Sequence, residues 1–132
     1  MKLFHNEIAL REKIAQRYNE LLSSLVKTPH ILPHNTSVYA QYTIEVNNRE
    51  LFQQSMNDLG IPTAVHYPSP LHLHQAMTYL GYKPGDFPVA EQASQRVISL
   101  PMHPYLHEDE QLKIVAAVKS SLLFCEQEAT VA

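Results

Sequence analysis

SVYAQYTIEVNNRELFQQSMNDLGIP, residues 37–62, changes its period part-way along. Val38, Ala40, Tyr42, Ile44 and Val46 alternate with Tyr39, Gln41, Thr43 and Glu45, the two-residue period of a half-buried strand over 37–47. Leu51, Phe52, Ser55, Met56 and Leu59 then recur at helical spacing. Asn47 is placed to cap that helix, with Glu50 as its capping-box partner. Gly60 and Pro62 end it, since glycine accepts the left-handed stop and proline cannot continue a helix. A strand that feeds directly into a helix with a clean stop requires a mixed α/β or α+β domain.

Working outward, a first helix is expected from about Asn6 to Val26, with Ile8, Ala15, Tyr18, Leu22 and Leu25 on one stripe. Pro29 and Pro33 mark a linker after it. Downstream, Thr63–His66 is a short β-rich stretch broken by Pro68 and Pro70, and a short helix is expected over Leu71–Leu80, ending at Gly81. Lys83-Pro84-Gly85-Asp86 reads as a turn. Pro88 suits the first position of a helix running to about Arg96. Val97–Leu100 forms a strand closed by Pro101 and Pro104. The last helix is expected from Glu108 to Phe124, with Leu112, Val115, Val118 and Leu122 as its core stripe and a frayed tail from Glu126. The architecture implied is one domain over 1–132, a small sheet of about three strands (near 37–47, 62–66 and 96–100) covered by helices on one face.

Composition excludes several classes. A net charge of −3 with scattered lysines and arginines offers no basic face for nucleic acid. The longest apolar run, Ile114–Val118, is far too short to cross a bilayer, and no signal peptide is recognisable at the N-terminus. One cysteine, Cys125, rules out an internal disulfide, so a reducing cytoplasm is the expected compartment. Cys125 has no neighbouring base, and Ser99 with His103 has no acid to orient the histidine, so neither makes a credible nucleophile.

The stretch His66-Tyr67-Pro68-Ser69-Pro70-Leu71-His72-Leu73-His74-Gln75 stands apart. Two prolines hold it extended, and imidazole and phenol groups on such a loop suit sugar hydroxyls and phosphate oxygens. The competing reading is a proline-bent surface loop with idle histidines. A zinc site from His66, His72 and His74 ranks last, because no Asp or Glu lies between Ile61 and Gly81 to support it.

Several blocks in order carry a resemblance: Gly60-Ile61-Pro62-Thr63-Ala64-Val65-His66-Tyr67-Pro68, Pro70 to Gln75, Phe87-Pro88-Val89-Ala90-Glu91 and Ile98-Ser99-Leu100-Pro101-Met102-His103-Pro104. With them the chain, from the first helix to Val118, resembles the C-terminal small domain of the DegT/DnrJ/StrS sugar aminotransferases, which are fold-type-I pyridoxal-phosphate enzymes. Within that family it most resembles those that aminate a 3-keto UDP-sugar acid for lipopolysaccharide O-antigen.

The resemblance implies a parent enzyme, a homodimer, that moves an amino group from glutamate to a keto sugar carried on a nucleotide. It implies that His66 and Tyr67 face the sugar nucleotide, with His72, His74 and Gln75 as further substrate-binding candidates. It also implies that the Schiff-base lysine, the aspartate on the pyridine nitrogen and the phosphate cradle lie in a large domain outside these residues. Lys2, Lys13, Lys27, Lys83, Lys113 and Lys119 agree with that, being on polar faces, ends or turns, and three isolated glycines make no phosphate loop. The chain by itself is therefore expected to bind no cofactor and to be catalytically inactive. Met1 directly before the first helix fits a truncated gene, a split gene or a cloned domain. The alternative is a stand-alone nucleotide-sugar-binding or interaction module, and uncovered apolar surface would favour its self-association.

Overall fold

The computed structural model describes residues 2–131, without the side chains of 2–5 and 131. Its elements in order are α1 (Lys2–Leu22), β1 (Tyr42–Glu45), α2 (Arg49–Asp58), two 3-10 turns (Leu71–Leu73 and Gln75–Leu80), α3 (Pro88–Arg96), β2 (Val97–Leu100) and α4 (Glu108–Val131). The mixed class and the small sheet covered by helices agree with the sequence reading.

β1 and β2 pair antiparallel, with Tyr42 opposite Leu100 and Glu45 opposite Val97. The third expected strand contributes a single bridge. Ala64 exchanges two hydrogen bonds with Ser99, at 3.1 and 2.7 Å, on the far edge of β2. Pro62 has no N–H to donate, and Pro68 and Pro70 bend the chain away, so pairing stops there. β1 is likewise shorter than the alternation over 37–47 implies. Tyr39 takes a positive φ of 43° and Val38 is half exposed, so the ladder begins only at Tyr42. A left-handed tyrosine costs about 1–2 kcal/mol. Arg11 donates to its carbonyl at 3.0 Å and holds the kink.

α1, α2 and α4 pack together with one face of the sheet. Tyr18 and Leu22 of α1, Tyr42 and Ile44 of β1, Phe52 and Met56 of α2, Ile98 of β2 and Val118 of α4 are all fully buried. The phenols of Tyr18 and Tyr42 donate to the Pro101 carbonyl (3.0 Å) and to Asn19 Oδ1 (2.6 Å), and burial raises both well above the ordinary phenol range.

Several local expectations are corrected. α1 runs from Lys2 to Leu22, and Leu25, expected on its buried stripe, is exposed. The cap of α2 is Asn48, whose side chain accepts from the Leu51 N–H, while Asn47 accepts from Arg96 Nη2 at 3.1 Å. Residues 71–80 form 3-10 turns in place of one helix. α4 continues to Val131, its last turns including a Thr130 hydroxyl bond to the Glu126 carbonyl, so the tail from Glu126 is helical. The buried face of α4 is turned from the expected one. Gln111, Ile114, Val115, Val118 and Ser121 are buried, whereas Leu112 is exposed. Pro88 opens α3 and the 83–86 turn forms, as the sequence reading has them. No described helix is long and apolar enough to cross a membrane.

Candidate substrate-facing loop

Beyond the Ala64 bridge the chain leaves the sheet, and His66 and Tyr67 stand in solvent, Tyr67 at 73% exposure. Their peptide bond is cis, and the two rings lie edge-on at 5.9 Å. His66 lines a groove of about 220 Å³ together with Gln41, Thr63 and Met102. That is smaller than the roughly 300–1,000 Å³ of a whole-ligand pocket, so these residues alone can hold only part of a ligand.

The other loop candidates are arranged differently. His72 is turned inward at 9% side-chain exposure, with its Nε2 donating to Glu91 Oε1 at 3.1 Å. Its ring packs on Phe87 at 4.8 Å and meets Tyr82 edge-on at 6.5 Å. It fastens the loop and has little surface left for a ligand. His74 is exposed, and its Nε2 lies 3.2 Å from the Ser69 carbonyl, closing the proline bend. Gln75 is exposed at the start of the second 3-10 turn. No group of three or more His, Cys, Asp or Glu is placed to hold a metal among the described residues, and His72 and His74 are engaged elsewhere. Ser99 is buried and pairs its hydroxyl with Thr43 at 2.8 Å, while His103 is exposed. Burial pushes the Cys125 thiol up, away from thiolate chemistry.

The residue missed in the sequence is Glu91. Its carboxylate accepts from the Gly85 N–H with both oxygens at 2.9 Å, from the Phe87 N–H at 3.2 Å and from His72. These bonds, the Gly85 amide first, hold its carboxyl below the usual glutamate value against the opposing effect of burial. The available signal was an acid in the first turn of a helix opened by Pro88, six residues past the Gly85 turn. Its stabilisation is complete above about pH 4.3 and is lost as pH falls through its depressed folded value. Thermal melts from pH 6 to pH 3 are expected to drop less steeply in Glu91→Gln than in the wild type. Parallel curves would show that Glu91 does not titrate into stability.

A pyridoxal-phosphate site would require a lysine in a pocket, a carboxylate facing its ring nitrogen and free N–H groups for its phosphate. The described residues do not fit it. Lys13, Lys83, Lys113 and Lys119 are exposed, and Lys27 is paired with Glu45 at 2.5 Å. The N-termini of α2, α3 and α4 carry their own acceptors in Asn48, Glu91 and Glu110. A cleft of about 940 Å³, open to solvent, runs beside Lys119, Leu123 and Cys125, and no loop candidate lines it.

A sequence profile of the DegT/DnrJ/EryC1/StrS aminotransferase family matches residues 1–119. The chain belongs to this family. It is 45% identical over 118 residues to the Pseudomonas aeruginosa UDP-2-acetamido-2-deoxy-3-oxo-D-glucuronate aminotransferase, covering 89% of this chain and 32% of that protein. A DegT DnrJ EryC1 StrS aminotransferase from Brucella abortus superposes with a TM-score of 0.78 at 43% identity, over 86% of this chain and 31% of that one. The putative sugar aminotransferase Spr1654 of Streptococcus pneumoniae, solved in a PMP-form, gives 0.80 at 26% identity over 94% and 33%. The chain thus spans about a third of the length of these family members.

Proposed function

We propose that this chain is the small domain of a pyridoxal-phosphate-dependent aminotransferase that passes an amino group from glutamate to a keto sugar on a nucleotide, and that its His66–Tyr67 loop contacts that sugar nucleotide. The observation that carries this reading is the pair itself. Two side chains able to donate and accept hydrogen bonds are held in solvent by a proline-bent segment, beside a groove sized for part of a ligand. The similarity to an aminotransferase named for a 3-oxo UDP-sugar supports the substrate class. The cofactor belongs to the remaining two-thirds of a family-length protein. A cytoplasmic homodimer serving cell-surface polysaccharide synthesis is the setting that this reading implies.

Titrating the 132-residue chain with UDP-N-acetylglucosamine, followed by ¹H–¹⁵N NMR, is expected to shift His66 and Tyr67 saturably. Absence of any saturable shift there would refute the role of the loop. The double variant His66→Ala/Tyr67→Ala is expected to keep its melting temperature, since exposed substitutions usually fall within about 0.5 kcal/mol of wild type. The same variant should weaken binding by about 1–3 kcal/mol for the lost polar contacts. Loss of stability with unchanged binding would make the pair structural.

A further inference from the structure

Residues 66–90 leave the core and return to it with nothing of their own buried inside it. No residue of either 3-10 turn is buried, and no side chain from 66 to 90 belongs to or packs on the core cluster. The backbone hydrogen bonds of 70–77 stay within the segment: Leu73 to Pro70, His74 to Leu71 and Met77 to His74. Such a segment is at the low-stability end of a domain unless something ties it down.

Among the described residues, the side-chain hydrogen bond that ties residues 66–82 to another element is His72 to Glu91. Glu91 is itself anchored in the first turn of α3, which leads directly into β2, and it also gathers the Gly85 and Phe87 amides. Phe87, placed by that gathering, is the ring on which His72 packs. Four residues separate His72 from Tyr67, and Pro68 and Pro70 make that connection stiff.

We propose that Glu91 is a positioning residue for sugar-nucleotide binding, setting the His66–Tyr67 loop through His72 without touching the ligand. This rests on the loop-binding reading given above. Its carboxylate accepts from three donor groups, His72 and the Gly85 and Phe87 amides, which fixes its orientation toward His72. Glutamine at this position keeps the size but puts an NH₂ where an oxygen accepts from an amide, so two donors would face each other. The apparent Kd equals the intrinsic value divided by the fraction of loops in the competent form. A loop held only one-tenth of the time would therefore bind about tenfold more weakly, with the core unaffected.

The experiment is the UDP-N-acetylglucosamine titration of the 132-residue chain, with melting temperature measured alongside, on wild type, Glu91→Gln, His72→Gln and His72→Leu. Glu91→Gln and His72→Leu are expected to bind about tenfold more weakly, His72→Leu at a near-wild-type melting temperature and Glu91→Gln with a neutral-pH melting temperature lowered by no more than the wild type itself loses on acidification to pH 3. His72→Gln, which keeps an N–H donor at the reach of Nε2, is expected to restore most of the affinity. Wild-type affinity in Glu91→Gln, or equal losses in His72→Gln and His72→Leu, would overturn the tether. Should Glu91→Gln fail to fold, the two His72 variants decide the matter by themselves. A wild-type chain without saturable shifts at His66 and Tyr67 sinks the binding reading itself, an outcome separate from unaltered binding in the variants.

Discussion

Mixed with pyridoxal phosphate and glutamate, the 132-residue chain is expected to give no transamination and no borohydride-trapped adduct at one defined lysine. Enzymatic acceleration is commonly a millionfold or more, so the whole effect is at stake. A reactive lysine needs a lowered pKa, which burial or a cationic neighbour supplies. Here Lys13, Lys83, Lys113 and Lys119 are in solvent and Lys27 has a carboxylate beside it. The N-termini of α2, α3 and α4, where a phosphate could sit, are capped from within the chain by Asn48, Glu91 and Glu110. Scattered, substoichiometric trapping on several lysines is the expected outcome of mass-spectrometric mapping. Stoichiometric trapping at a single lysine with turnover would overturn the small-domain reading, and Lys2, whose side chain is not described, would be the first position to inspect.

Phe52→Ala is expected to remove a large part of the stability of the domain. Phe52 is fully buried in α2, in one cluster with Met56, Ile44 and Val118. Truncating a buried phenylalanine costs about 3–5 kcal/mol in lost transfer energy and cavity formation. A domain of this size holds about 5–15 kcal/mol in all. The melting temperature should fall by about 10–20 °C. The control is Leu112→Ala, which the helical period places in the core and the fold leaves exposed. It is expected to change stability by no more than about 0.5 kcal/mol. Chemical denaturation of both variants checks this, and a larger loss at Leu112 than at Phe52 would mean that α4 presents the face expected from its sequence pattern.

What the sequence by itself determined about this chain is its local grammar. The change of period between Val46 and Leu51, the stop at Gly60-Pro62, Pro88 at the head of α3 and the short strand at 97–100 all survive, because backbone geometry and donor loss act within a few residues. The bent, extended course of the chain past His66 and Tyr67 was legible for the same reason, since prolines on its C-terminal side restrict the backbone whatever surrounds it.

What only the tertiary structure decided depends on partners distant in sequence. α4 buries Gln111 and Ser121 because Gln111 reaches the Ile14 carbonyl at 2.7 Å and the Arg17 guanidinium at 3.2 Å, and Ser121 meets the Ser55 hydroxyl at 2.9 Å. A polar side chain can enter a core once its hydrogen bonds are satisfied there, and a hydrophobic pattern carries no information about such a partner. The Tyr39 kink that shortens β1 is held from α1 by Arg11. The His66–Gln75 segment contains no acid, so its tie to Glu91 exists only once α3 has folded beside it. Pairings between elements are chosen by packing, and that is why they could not be read along the chain.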